Sequence, residues 1–322
     1  MTGSAFVTGA SGFIGRALVE RLRESGYEVR GVDVAADPAR GVVAGDVCEP
    51  AGWQGHAEGC ELFFHTAALV YMRGDPELFW RVNVLGARRA LDAAAAAGAA
   101  RFVHLSSVVA FGFDYPDGVD ERWPVRTNGA PYVDTKVAAE AAVLTAHGAG
   151  EIAVTVIRPG DVYGPAGKQW TIAPAELMKQ GRFALPFRGQ GRHTPVYVEN
   201  LVDGIVLAAE NEAGAGQVFV LTDGHPKLTT ADYFDGFAAA LGLPVTRKVP
   251  TVAMTAAAWA MHHGSRMAGR PNLVDPDAVA YLCRTGTYSN AKARSMLGWE
   301  PKVSLAEGLR RSAEWVRAEG IV

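Results

Sequence analysis

Residues 5–15 read AFVTGASGFIG: an apolar run meets three glycines, Gly9, Gly12 and Gly15, spaced three apart. Glycine loses more conformational freedom on ordering than any other residue, so three in so short a stretch need a backbone reason. Two reasons fit. One is positive φ in a tight strand-to-helix turn; the other is a bare backbone that lets a pyrophosphate rest on the N-terminus of the following helix. Either way the chain must begin as a strand, a turn and a helix folded back upon it. An acid weighs between the two. Asp33 closes the next apolar run, 18 residues beyond Gly15, near the spacing of about 20 at which a dinucleotide site sets a carboxylate on the adenosine ribose. That carboxylate accepts from both ribose hydroxyls of NAD and repels the extra phosphate of NADP. No arginine stands within 34–37 to offset the repulsion, so NAD is expected ahead of NADP.

The rest of the first half repeats the same alternation. β-branched and aromatic runs at 4–8, 27–33, 41–46, 62–68, 101–107 and 152–160 are separated by helical stretches at 16–25, 80–98 and 132–148. Strand–helix alternation requires parallel strands with helices on both faces, an α/β Rossmann-type doubly wound sheet. After Gly160 the pattern loosens: a helix at 171–181, a strand feeding a helix at 192–211, a strand at 216–224 and two helices around the Trp299-Glu300-Pro301 turn. We expect a nucleotide-binding domain at 1–165 and a smaller C-terminal substrate-binding subdomain at 166–322, with about 192–212 returning to the first. The net charge of −3 gives no reason to expect a nucleic-acid partner. Cys48, Cys60 and Cys283 share no metal-ligand spacing, so no metal is expected, and they read as reduced thiols of a cytoplasmic protein. Residues 1–4 carry no basic leader, and the apolar stretch 251–263 is too short for a membrane span.

The segment PYVDTKVAAE places Tyr132 and Lys136 four apart, on one helical face. Moving hydride between an alcohol and NAD needs a base for the hydroxyl proton, and a free tyrosine, with a pKa of about 10, is a poor one. A nearby ammonium, with the cationic nicotinamide, brings the phenolate within reach. Taken alone, such a pair is common on solvated helices. Its place between the run ending Ser106-Ser107 and the run ending Arg158-Pro159-Gly160 gives it weight.

With these motifs the chain resembles the extended short-chain dehydrogenase/reductase family, nearly end to end. The resemblance implies cofactor contacts from Gly9, Ser11, Gly12, Phe13, Ile14 and Gly15 in the turn, and from Asp46 and Val47 (GDV, 45–47) at the adenine. It implies further contacts from Thr66, Ala67 and Ala68 (HTAA, 65–68) and from Asn83 (NVLG, 83–86). It adds Ser106, Tyr132 and Lys136, together with Pro159 and Val162 of RPGDVYGP. The catalytic set it implies is Ser107, five residues before Gly112, with Tyr132 as base and Lys136 on the nicotinamide ribose. Relatives dimerise through the helices at 79–94 and 132–148, so a homodimer is expected.

Three functions compete. HTAALVYMRGDPELFWRVNVLGARRALDAA, VYVENLVDGIVLAAE and KARSMLGWEPKVSLAEGLRRSAEW look like the 3β-hydroxysteroid dehydrogenase-like branch, implying a secondary alcohol or ketone on a bulky, apolar small molecule. The stretch 251–268, with Met254, Trp259, Met261 and Met267, suits an adaptable lid over such a substrate. A nucleotide-sugar epimerase with tightly held NAD is the alternative, since Arg192 stands where epimerases keep an arginine for a diphosphate. A dehydratase needs an acid pair where Val108 and Val109 follow Ser107, which disfavours that branch. A cofactor-sensing relative without chemistry would lack the tyrosine or the lysine. Val70, Arg192 and Tyr197 are the substrate-side candidates.

Overall fold

The computed structural model describes residues 3–72, 74–267 and 276–322, with the backbone alone for 258 and 261–267. The chain opens with β1 (Gly3–Thr8), α1 (Phe13–Glu24), β2 (Tyr27–Asp33), β3 (Val42–Ala44) and β4 (Leu62–His65). It continues through α2 (Pro76–Phe79), a π-helical turn (Trp80–Leu85), α3 (Gly86–Ala96), β5 (Arg101–Leu105), α4 (Pro131–Gly148) and β6 (Val154–Pro159). Next come β7 (Asp161–Tyr163), α5 (Ala173–Lys179), β8 (Ala184–Leu185), β9 (Pro195–Tyr197), α6 (Val198–Glu210) and β10 (Gln217–Leu221). The last elements are α7 (Thr230–Leu241), β11 (Arg247–Lys248), α8 (Thr251–Met267), α9 (Pro276–Leu282), α10 (Ala291–Leu297) and α11 (Leu305–Ala318).

Seven strands form one sheet in the order β10-β6-β5-β4-β1-β2-β3, and every pairing in it is parallel. Strand order reverses between β1 and β4, so a crevice opens beyond their carboxyl ends, where open α/β sheets take ligands. The central strands LFFH, RFVHL and VTVIRP are buried at every position, because helices cover both faces. On one face Leu18, Val19 and Leu22 of α1 pack with Leu201 and Ile205 of α6 and with Trp299. Each such side chain contributes about 1.5–3 kcal/mol on full burial. On the other face Trp53, Phe63 and Phe102 meet Ala90, Leu91 and Ala94 of α3 and Val143 of α4.

The C-terminal part adds a third core of Tyr163, Tyr197, Tyr233, Phe234, Phe237, Leu309 and Val316. The second half also returns to the sheet beyond residues 192–212. Its β10 is an edge strand, and α10 packs beside it through Ala293 and Leu297. Two local expectations change. The first helix starts at Phe13, not Arg16, because its first turn belongs to the glycine motif. The helix expected at 80–98 is interrupted by the π-turn, where the buried Asn83 takes partners outside the helix. Such π-turns occur often at functional sites. Among the described residues no helix is long and apolar enough to cross a membrane.

Candidate active site

The glycine turn runs from β1 into α1 under tight contact. Gly9 has φ +70°, and a Cβ there would lie 2.7 Å from the Ala67 nitrogen; a Cβ on Gly15 would lie 2.0 Å from the Gly9 carbonyl oxygen. Gly12 caps α1 in extended conformation without a side-chain cap, and the first turn of α1 holds no acid. The N–H groups of that turn and the positive end of the helix dipole are therefore available to an anion. At the end of β2, Asp33 accepts from the Ser11 amide at 2.9 Å and from the Val34 amide at 2.7 Å, which fixes its carboxylate beside the turn. This glycine-only cradle with an acid at its rim fits a dinucleotide.

A cleft of about 1330 Å³ runs from this turn to the ends of β5 and β6. It gathers Gly9, Ser11, Gly12, Phe13, Ile14, Gly15, Thr66, Ala68 and Val70 from the turn and the β4 end. It also gathers Ser106, Ser107, Tyr132, Lys136, Pro159 and Val162. These residues lie as much as 153 positions apart in sequence, from Gly9 to Val162, yet share one wall because they all sit at carboxyl ends of neighbouring strands or on the helix beside them.

Other candidate residues stand elsewhere. Asn83 donates from Nδ2 to the Leu69 carbonyl and to Thr135 Oγ1, both at 3.0 Å, while its Oδ1 accepts the Leu69 amide at 2.7 Å. It clamps the β4 loop to α4 from behind the cleft. Asp46 accepts from the Cys48 amide at 2.8 Å and pairs with Arg81 at 3.1 Å, and Val47 is buried. Ala67 presents its backbone to Gly9. Arg192 donates to the Lys227 carbonyl at 3.0 Å and is absent from the cleft wall, because the short bridge from Arg192 to Thr229 carries it outward. Tyr197 is fully buried in the C-terminal core, edge-on to Tyr163. Of the expected lid, α8 exposes Trp259, while the Met261 and Met267 side chains and residue 268 lie outside the described residues.

At the catalytic end, Lys136 donates to the Leu105 carbonyl at 2.7 Å, and its ammonium stands 5.9 Å from the centre of the Tyr132 ring. Burial pulls Lys136 down to about 8, partly opposed by the Glu140 carboxylate. Tyr132 keeps some exposure along the cleft, but burial of its hydroxyl end pushes it up to about 12, opposed by a hydrogen bond with Ser107. The expected lowering of this phenol by Lys136 is not present in the protein alone: the ammonium is engaged by a strand carbonyl and desolvation wins. The Val109 amide donates to Ser107 Oγ at 3.3 Å, and this orients the hydroxyl at the head of a short 3-10 turn. Beneath them His65 and His104 stack at 5.6 Å, both held neutral by burial.

Sequence reasoning missed the far wall, where Met72, Val109, Trp170 and Tyr281 line the cleft beside Asp161. The Tyr281 hydroxyl donates to Asp161 at 2.5 Å, and Arg284, its guanidinium 3.4 Å over the Tyr281 ring, donates to the same carboxylate at 2.6 Å. One buried acid thus ties α9 and the residues after it to the start of β7. Only the RPGDVYGP match pointed near it, since Tyr281 and Arg284 arrive from 120 residues or more downstream. Among the described residues no group of three or more His, Cys, Asp or Glu side chains converges as a metal site.

Residues 5–222 match the model of the NAD-dependent epimerase/dehydratase family. A 3-beta-hydroxysteroid dehydrogenase of Mycolicibacterium neoaurum is 31% identical over 93% of this chain and 87% of its own length. A UDP-glucose 4-epimerase of Vibrio cholerae is 29% identical over 98% of this chain and 95% of its own. The solved structure of MoeE5 in complex with UDP-glucose and NAD superposes with a TM-score of 0.78 at 26% identity, over 98% of this chain and 99% of that one.

Proposed function

Since the chain belongs to the NAD-dependent epimerase/dehydratase family, we propose that it oxidises a secondary alcohol, or reduces the matching ketone, on a bulky apolar small molecule. The glycine turn and Asp33 would hold the cofactor, which when bound would supply the hydride acceptor for the alcohol as NAD or the hydride donor for the ketone as NADH. In this reading Ser107 holds the substrate oxygen and Tyr132 takes the hydroxyl proton. Lys136 holds the ribose and offers the positive charge that favours the phenolate. Burial pushes Tyr132 up to about 12, and a cationic cofactor beside it would favour the phenolate.

The observation that carries the substrate class is the wall facing Tyr132: Met72, Val109, Trp170 and Tyr281 are apolar or aromatic. A sugar diphosphate needs cations there; Arg192 is turned away to the Lys227 carbonyl, and Lys168 is the cation that lines the cleft nearest Trp170 in sequence. The relatives include both chemistries, a 3-beta-hydroxysteroid dehydrogenase and a UDP-glucose 4-epimerase. The test is NADH formation from 3β-hydroxysteroids, β-hydroxy acids and UDP-sugars side by side. NADH released with the apolar alcohols supports the reading. Silence there, with a UDP-sugar interconverted and no net NADH, makes the protein an epimerase.

Asp33→Ala removes the ribose acceptor and the charge that repels a second phosphate. NAD affinity is expected to fall about 10- to 100-fold, the loss of charge-assisted hydrogen bonds, with preference over NADP relaxed. Titration of both cofactors reads it, and an unchanged preference removes Asp33 from the role. The reading also includes a homodimer through the helices at 79–94 and 132–148, the first of which exposes Trp80 and Leu85 beside the charged Arg81 and Asp92. The three free cysteines fit a reducing, cytoplasmic setting.

A further inference from the structure

One helical turn beyond Lys136 and two beyond Tyr132 lies Glu140, only 3% exposed. Its carboxylate accepts from Ser106 Oγ at 2.8 Å, from Arg158 Nε at 3.0 Å and from Arg158 Nη2. Arg158 is buried too, its guanidinium 4.6 Å over the Phe111 ring, and its Nη1 has no partner. Ser106 ends β5 next to Ser107; Arg158 stands in β6 just before Pro159, Gly160 and Asp161 of the cleft wall. One carboxylate therefore joins the three elements that carry the chemistry. We propose, on the strength of the oxidoreductase reading, that Glu140 is a positioning residue for the reaction. It fixes the strand ends bearing Ser107 and Pro159 against the helix bearing Tyr132 and Lys136, and sets a negative charge one helical turn from Lys136.

The geometry gives this carboxylate more to do than balance Arg158. It pairs directly with the buried Arg158 and stands one helical turn from the buried Lys136, whose ammonium is bonded to the Leu105 carbonyl and is favoured by the Glu140 charge. The other ionisable groups around Lys136 cannot replace it. Tyr132 on α4 is a neutral phenol in the protein alone, and His65 from β4 and His104 from β5 are kept neutral by burial and by the Lys136 charge. Ser106 is the one hydroxyl that Glu140 orients, and it stands in the cleft wall directly before the residue proposed to hold the substrate oxygen.

The test compares the parent with Glu140→Gln, Arg158→Met and the double variant, measuring kcat, KM and NAD affinity across pH. Glu140→Gln keeps size and an acceptor for Ser106 but removes the charge. We expect kcat to fall about 10- to 100-fold, the cost of a small misplacement of reacting groups, with KM and NAD affinity close to the parent's. Removing the charge that holds Lys136 protonated shifts the alkaline limb of the kcat profile to lower pH, by about one unit. The double variant, which leaves no unpaired arginine, is expected to remain slow and acid-shifted; it decides the matter if Glu140→Gln alone fails to fold. Parent-like kcat and pH profile in Glu140→Gln, or recovery of both in the double variant, overturns the proposal and makes the pair a structural bridge. If the parent epimerises a UDP-sugar and oxidises no alcohol, the oxidoreductase reading fails, and Glu140 is judged on that epimerisation through the same Tyr132 and Lys136. A parent inert towards both overturns both.

Discussion

Tyr132→Phe protein should bind NAD as the parent does and turn over about 10²–10⁴-fold more slowly, the usual contribution of a positioned acid or base. The substitution removes one oxygen. The ring remains beside Lys136 and within the apolar cluster of Val109, Val133 and Tyr281, so neither the helix nor the cleft loses packing. What is lost is the single group in the cleft that stands beside both Ser107 and an ammonium and can take a hydroxyl proton. The parent should also show a pH dependence that the variant lacks. With NAD bound, Tyr132 must titrate below its value of about 12 in the protein alone, and activity should rise with pH through that lowered value. Cofactor affinity by calorimetry and NADH formation against pH provide both measurements. Turnover at the parent rate with the true substrate would falsify the assignment of the base.

Gly15→Ala should lower NAD affinity about 10- to 100-fold, the equivalent of 1–3 kcal/mol of overpacking, and should reduce stability by a similar amount. The added carbon falls 2.0 Å from the Gly9 carbonyl oxygen and 2.8 Å from its carbon. Backbone cannot yield there as a flexible side chain would, so the turn and the first turn of α1 must separate. The phosphate seat depends on that closeness. Gly55→Ala serves as the control, because a Cβ there meets nothing within 4 Å, and it should leave both quantities unchanged. Equal affinities in Gly15→Ala and parent protein would mean that the turn serves only to connect β1 with α1.

Both predictions concern features that are local in the sequence. The strand–turn–helix opening, the acid at the end of β2 and the Tyr-Lys pair on α4 are local patterns: spacing along the chain translates directly into a face or a turn. The strands followed the same logic, since fully buried parallel strands must be apolar almost throughout, as LFFH and VTVIRP are. The interrupted helix at 80–85 was not legible. Its π-turn fits the demand of Asn83 for Leu69 and Thr135, which lie 14 and 52 residues away.

Glu140 shows the boundary most clearly. In sequence it is one more polar residue on a helix; in the fold it is the only carboxylate that Ser106 and Arg158 reach among the described residues. The sequence by itself determined the doubly wound sheet and the glycine turn, and it singled out Tyr132 as the base we propose, because each follows from residue type at short, fixed spacing. The tertiary structure alone decided that Arg192 turns outward, that Tyr197 lies in a core, and that Trp170 and Tyr281 line the cleft. Those outcomes depend on where distant segments pack, and packing is set by the mutual fit of surfaces that no single stretch of chain contains.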